Sequence, residues 1–275
     1  MESAAKLEFH EDHKLIVVSD IHLKSVDDDR CTALISLIDS LNTDSVRCFV
    51  LLGDIFDFCF GASSYFKQKF KLLGETLSRL ASSGVDVFFV QGNHEFSLDY
   101  LKWPGVNFVT KKDFSITISG QATISFTHGD RIKAPWHYHL YSFLTRSFVF
   151  RIAGRMVPQR FLDRLCLQIS LKSRLSGQYK KINHSGILHS LGQWLTEKSA
   201  TNKPGTQDHH GISGHFHLPY DISRSDGISG RILCLKSWDT PNYLQFYKNS
   251  FKRFELNHNS GRFEPVLRDH PDQDT

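Results

Sequence analysis

Apolar runs that each end in a short polar motif recur along the first half of this chain. His13–Ser19, Arg47–Leu52 and Val85–Val90 are such runs, and all three read as buried strands. Between them, Asp29–Leu41 carries Leu34, Leu37, Ile38 and Leu41 at helical spacing. The stretch from Ser63 and Ser64 to Ser82 reads as a second helix, stopped at Gly84. A β-α-β-α-β order predicts parallel strands whose carboxyl ends line one rim of a sheet. Phe114–Ile118 and Ala122–Thr127 flank Ser119-Gly120-Gln121 and read as a hairpin. After the extended segment Gly211–His217, short strands are predicted around Pro219–Ile222, Arg231–Leu235, Tyr243–Tyr247 and Phe251–Leu256. The start, Met1 to His13, is polar and acidic, and the stretch from Asn257 onward reads as loosely ordered.

The motifs that close these runs carry the chemistry. They are Ser19-Asp20-Ile21-His22, Gly53-Asp54-Ile55-Phe56-Asp57, Gly92-Asn93-His94-Glu95, Thr127-His128-Gly129-Asp130 and Gly214-His215-Phe216-His217. Singly, each has an ordinary explanation. Gly-Asp can be a turn before a helix cap, and Gly-Asn a turn that tolerates positive φ. Together, in this order, they supply seven residues of the types that hold a pair of divalent metals. These are Asp20, His22, Asp54, Asn93, His128, His215 and His217. Strand ends on one rim let ligands from distant parts of the chain meet. A carboxylate suits the bridge between two cations, and Asp54 is the natural candidate; imidazoles and one amide oxygen add no excess negative charge. A metal pair eases deprotonation of water and clamps a phosphoryl group. Asp57, Glu95 and Asp130 read as supports that orient ligating imidazoles or cap a helix.

Composition narrows the class. With 275 residues, 40% hydrophobic and 23% charged, the chain can bury the core of a globular enzyme. Five scattered cysteines without a Cys-x-x-Cys spacing fit reduced thiols in a reducing compartment. No apolar signal region opens the chain, and no apolar run approaches the ~20 residues that span a bilayer. A cytoplasmic or peripheral protein is expected.

Charge singles out residues 131–200. They hold twelve Lys/Arg and only two acids, Asp163 and Glu197, a formal +10 in a chain whose total is +4, which leaves −6 for the rest. Aromatic and aliphatic residues recur there at helical spacing, from Trp136 and Tyr138 through Phe148 and Met156 to Phe161 and Ile169. Two or three helices beside the metal site are predicted, with Gly177 and Asn183-His184-Ser185 separating the later ones. Such a cap can be solvated packing, a nucleic-acid surface or an anionic-lipid surface. The continuous Phe/Val/Ile-rich stretches favour lipid or acyl chains, so no nucleic-acid partner is expected.

The motif set resembles the calcineurin-like metallophosphoesterase superfamily. That resemblance implies an α/β fold, a four-layer αββα sandwich around two mixed sheets, here with an inserted helical lid. The division that follows is core 1–130, lid 131–200, core 201–256 and tail 257–275. By the same likeness Asp20, His22, Asp54 and His217 bind one metal, and Asp54, Asn93, His128 and His215 the other. His94 then contacts the phosphoryl oxygen or protonates the leaving group.

Within that superfamily the basic, apolar segment looks like the lid of the UDP-2,3-diacylglucosamine pyrophosphatases of lipid A synthesis. The likeness lies in Arg151-Ile152-Ala153-Gly154-Arg155-Met156 and the Ser-rich continuation through Lys172-Ser173-Arg174 to Lys180-Lys181. It implies hydrolysis of UDP-2,3-diacylglucosamine to UMP and 2,3-diacylglucosamine 1-phosphate. It also implies two divalent ions, Mn2+ first, and a peripheral place on the cytoplasmic face of a Gram-negative inner membrane. Arg131, Lys172, Arg174, Lys180 and Lys181 are candidates to grip the diphosphate. One departure is visible: that family usually has Arg-Asp after Gly-Asn, where this chain has His94-Glu95. A phosphoesterase for a soluble phosphodiester, nucleotide or phosphoprotein shares the motifs, as does a non-catalytic scaffold. A binding-only scaffold has no need of both ligand shells plus His94.

Overall fold

Alternate residues of the first strands face opposite ways, and both faces are buried. Leu15 and Val17 of β2 (Lys14–Val18), Cys48, Val50 and Leu52 of β3 (Val46–Leu52) and Phe88 and Val90 of β5 (Asp86–Val90) join one apolar cluster. Their neighbours Ile16, Val18, Phe49, Leu51, Val87 and Phe89 join another. A strand apolar on both sides must lie inside a layered structure. The computed structural model describes residues 3–7, 9, 12–110, 113–118, 122–132, 134–138, 147, 152, 156–164, 167–168, 184–200, 208–223 and 229–266.

The remaining strands are β1 (Ser3–Leu7), β4 (Cys59–Phe60), β6 (Glu95–Phe96), β7 (Val106–Val109), β8 (Asp113–Ile118), β9 (Ala122–Thr127), β10 (Asp208–Ser213), β11 (Asp221–Ser223), β12 (Arg231–Cys234), β13 (Asn242–Tyr247), β14 (Ser250–Asn257) and β15 (Arg262–Pro265). One sheet runs β15-β14-β13-β2-β3-β5-β7, with β2, β3, β5 and β7 parallel as the alternating order predicts. A second sheet runs β1-β8-β9-β10-β12-β11. The cluster between them takes Phe114, Ile116 and Ile118 of β8 and Ala122, Ile124 and Phe126 of β9, matched across the expected hairpin.

Helices cover both outer faces. On the seven-stranded sheet lie α1 (Asp29–Asp39), α2 (Ser64–Lys69) and α3 (Lys71–Ser82), whose buried residues include Leu34, Leu37, Phe66, Leu73 and Leu77. The single helix predicted over 63–82 is two helices. Phe70 leaves helical geometry (φ −110°, ψ 23°) and buries its ring against Phe56 at 4.1 Å between centroids. On the six-stranded sheet lies α4 (His184–Ala200), where Leu191, Trp194 and Leu195 pack with Ile232. Gly211 of β10 makes room for it, since a Cβ there would stand 2.8 Å from the Trp194 ring. The result is the four-layer αββα sandwich. Residues 184–200, placed by the sequence in the lid, form its fourth layer.

Five strands escape sequence reading, among them the two-residue parallel pair β4 and β6. β1 pairs in parallel with β8 inside the stretch read only as polar and acidic, and β7 is a short edge strand beside β5. β15 pairs with β14 inside the stretch read as a loose tail, and the N–H of Val266 meets the Arg253 carbonyl. Edge strands of this kind owe their order to a neighbour rather than to their own pattern. Gly177, Asn183 and the Arg151 to Arg155 stretch, apart from Ile152, lie outside the described residues.

The aromatic layer under α3 is the mechanical floor of the rim. Phe89 is fully buried, with Phe56, Trp103 and Phe108 within 6.0 Å between ring centroids. Phe89→Ala is expected to lower unfolding free energy by about 3–5 kcal/mol, from lost transfer energy plus a cavity. Urea denaturation followed by circular dichroism measures it.

Candidate metal centre

All five motifs arrive at one rim. Asp20 and His22 follow β2, Asp54 follows β3, Asn93 and His94 follow β5, His128 follows β9, and His215 and His217 follow β10. The loops are stitched together by main chain. Asp20 N–H donates to the Gly53 carbonyl (3.1 Å), His22 N–H to the Asp54 carbonyl (3.0 Å) and Gly214 N–H to the His128 carbonyl (3.1 Å). His215 N–H donates to the Asp20 carboxylate at 3.0 Å, so the two sheets meet at this point.

The backbone at these positions is strained. Asp20, His22, Asp54, His215 and His217 all adopt positive φ, between 51° and 66°. Residues with a Cβ pay for that conformation and keep it only where the surroundings hold it. Gly53, at φ +81°, has the same handedness, and a Cβ there would strike the His128 ring at 2.6 Å. A Cβ on Gly214 would stand 2.2 Å from Ser19 Oγ and 2.6 Å from Asp20 Oδ2. The glycines of the motifs thus mark backbones pressed against ligand side chains.

Two groups of donor atoms result. Asp20, His22 and His217 bring one atom each within 4.8 Å of one another, and so do Asp54, His128 and His215. Asn93 joins the second group, its Oδ1 3.2 Å from His128 Nε2. His128 shows why a cation fits. Its Nδ1 lies 3.0 Å from the Leu52 carbonyl, which only accepts, so Nδ1 carries the proton. Nε2 then faces Asp54 Oδ2 and Asn93 Oδ1, both at 3.2 Å. Three electron-rich atoms converging on one point require a positive charge among them. His217 Nε2 and Asp20 Oδ1 face each other in the same way at 3.2 Å.

Electrostatics agree with that demand. Burial pushes the Asp54 carboxyl up, but His128, His94 and His22 outweigh it and hold it well below the usual range. Burial pulls His128 down, yet Asp54, with Asp20 and Asp130 behind it, holds the ring well above its ordinary value. Burial, then His128, drives His215 down to about 4, leaving a neutral imidazole, the form that binds metal.

His94 stands apart. It is half-buried, with Nδ1 2.8 Å from the Asp57 carbonyl and Nε2 3.8 Å from Asp54 Oδ2. Its ring lies 5.0 Å from that of His22, and with Asp57 these two form a third group within 4.8 Å. Asp57 is buried 3.9 Å from His22 Nδ1, so it faces a ligand-type histidine. Asp130 accepts from the Tyr138 hydroxyl at 2.7 Å, a link between the rim and the insertion. Arg131 follows in the same turn, half-buried; Lys172, Arg174, Lys180 and Lys181 lie outside the described residues.

Ser19 takes a role the sequence did not reveal, and Glu95, read as an imidazole support or helix cap, binds backbone N–H groups instead. Ser19 Oγ donates to Asp20 Oδ2 at 2.6 Å and also reaches the Leu52 carbonyl at 2.9 Å. Glu95 is buried and accepts four backbone N–H groups. Ile55 (2.7 Å) and Phe56 (3.2 Å) donate to Oε1; Gly92 (2.6 Å) and Asp54 (3.1 Å) donate to Oε2. Burial, then Asp54, pushes its carboxyl up to about 7, while the N–H bonds from Gly92 and Phe56 pull the other way. The Glu of the motif carried a signal, its place directly after His94, but not the identity of its partners.

A four-layer α/β sandwich with carboxylate and histidine clusters at its strand ends defines a metal-dependent phosphoester hydrolase. The calcineurin-like phosphoesterase family model matches residues 13–219, and the chain belongs to that family. Relatives of similar sequence are named UDP-2,3-diacylglucosamine hydrolase. The one from Porphyromonas gingivalis is 27% identical over 206 residues, covering 70% of this chain and 76% of its own. The one from Pseudomonas putida is 24% identical over 238 residues, 82% and 91% of the two chains. The one from Neisseria gonorrhoeae is 26% identical over 170 residues, 60% of this chain, and the match spans 65% of that relative's length.

Glu95→Gln is expected to cost about 2–4 kcal/mol, because an amide nitrogen would face N–H donors that a carboxylate oxygen now satisfies. The loss of stability in denaturant should come with weaker metal retention, measured by elemental analysis after gel filtration.

Proposed function

We propose that this phosphoesterase hydrolyses the pyrophosphate of UDP-2,3-diacylglucosamine at the α-phosphorus, releasing UMP and 2,3-diacylglucosamine 1-phosphate (lipid X). One observation carries the substrate class: apolar side chains stand in solvent on the segment that leaves the phosphoesterase rim. Trp136 is 76% exposed, Met156 81% and Phe161 60%, with Ile152 and Val157 also exposed. A soluble substrate gives no reason for such a surface, whereas acyl chains do. The names of the relatives point the same way.

In this reading Asp20, His22, Asp54 and His217 hold one divalent ion, and Asp54, Asn93, His128 and His215 the other, with manganese proposed for both. When bound, the pair would ease water deprotonation and offset charge on the phosphoryl oxygens. The protein's own part is orientation. The Leu52 carbonyl fixes the His128 ring, Asp57 faces His22, and Ser19 locks the Asp20 carboxylate. His94 keeps a proton on Nδ1 for the Asp57 carbonyl, so Nε2 is the atom left for substrate. From there, doubly protonated, it donates to a phosphoryl oxygen or to the leaving oxygen.

Arg131 and the insertion's Lys172, Arg174, Lys180 and Lys181 are proposed to grip the diphosphate. The basic, apolar insertion is proposed to rest on the anionic cytoplasmic face of the inner membrane. No helix among the described residues is long and apolar enough to cross a membrane.

A second reading, hydrolysis of a soluble phosphodiester, is favoured by His94-Glu95 at the position where the lipid-active family usually has Arg-Asp. UMP release from UDP-2,3-diacylglucosamine with manganese separates the two. Rapid release that disappears in Asp54→Ala, together with loss of bound metal, is expected. Cleavage of bis-p-nitrophenyl phosphate without UMP release would select the second reading. His94→Ala should keep its metal and lose roughly 10²–10⁴-fold in kcat, measured by steady-state kinetics; an unchanged rate would remove His94 from the chemistry.

A further inference from the structure

Asp163 is one of only two acids among the cations of residues 131–200, and it is buried, 6% exposed. Residues 159–164 are helical and belong to the insertion. Both carboxylate oxygens of Asp163 lie 2.8 Å from Lys69 Nζ on α2, and Oδ2 also accepts from the Tyr65 hydroxyl at 2.9 Å. The ammonium is enclosed in turn, over the Phe66 and Phe70 rings at 5.7 and 5.3 Å. The adjoining Leu162 packs against the apolar cluster beneath the seven-stranded sheet. A desolvated ion pair with this many partners fixes a geometry, because either member alone would be a buried charge.

The place where it docks leads to His94. The turn before α2 starts from β4, and the Ser63 N–H meets the Phe60 carbonyl. Cys59 N–H donates to the His94 carbonyl at 3.1 Å, and the Asp57 carbonyl holds the His94 ring. Residues 57–69 therefore carry the His94 support at one end and the Asp163 contact at the other. Phe58 joins them, its ring 5.3 Å from Phe66 and 5.7 Å from Phe96.

We propose that Asp163 is a positioning residue: latched to Lys69 and Tyr65, it sets the insertion in register with the His94 side of the metal centre. An insertion that must place a long substrate needs a fixed point on the core, and a small substrate does not. The latch rests on the substrate reading above only for its effect on the lipid substrate; its structural half is independent of that reading.

The test compares wild type, Asp163→Asn, Lys69→Met and the double variant Lys69→Met/Asp163→Leu. Asp163→Asn should raise KM for UDP-2,3-diacylglucosamine roughly tenfold, with kcat within about twofold, metal content unchanged and bis-p-nitrophenyl phosphate cleavage unchanged. Hydrogen exchange over residues 156–164 should quicken in both single variants. The double variant, which removes both charges, should restore part of the protection. A folded Asp163→Asn protein with wild-type KM and wild-type exchange overturns the latch. So does a fall in cleavage of the small substrate equal to that of the lipid, which would mark a general loss of structure. If wild type cleaves the small substrate but releases no UMP, the substrate reading fails, and the exchange data alone decide the latch.

Discussion

One buried carboxylate holds the catalytic rim in shape. Glu95 takes N–H groups from the loop after β3 and from the loop after β5, and those loops carry Asp54, Asn93 and His94. Each donor would otherwise be an unpaired polar group in the interior, which is costly. Because the carboxylate is shared, neither loop can move without breaking bonds to the other. Asp54 is thereby fixed both as a main-chain donor to Glu95 and as the acceptor of the His94 N–H at 3.0 Å.

The strain at the rim follows from this clamping. Five residues of the ligand types hold positive φ; Asp20, His22 and Asp54 are tied together by main-chain bonds between loops, and Gly53, Gly92 and Gly214 let the loops touch. Burying carboxylates and imidazoles in that space sets up opposing demands. The carboxylates need positive charge, and His215 is pushed toward neutrality by burial and then by the charge of His128. A pair of cations meets both demands, which is the physical content of the metal reading.

The insertion obeys a different rule. Its single described acid below residue 184 is buried against α2, while Trp136, Ile152, Met156, Val157 and Phe161 stand in solvent. This segment is thus anchored by charge while apolar surface beside the anchor is exposed. α4 belongs to the sandwich instead, because Gly211 opens a seat for Trp194 and Leu195 on the second sheet.

Local patterns determined much of this protein. Apolar runs gave β2, β3, β5 and the β8–β9 hairpin, since a doubly buried strand must be apolar along its length and a hairpin alternates. The motif residues Asp20, His22, Asp54, Asn93, His128, His215 and His217 were legible as a set because each closes an apolar run, and the fold brings those strand ends to one rim. Tertiary structure alone decided the rest. β1, β7 and β15 gain order from neighbours, the break at Phe70 comes from a ring finding Phe56, and α4 takes its layer from a distant glycine. The distant partners of Glu95, Ser19 and Asp163 lie between 33 and 98 residues away. A side chain's type announces that it needs a partner; only the packed fold determines which one it meets.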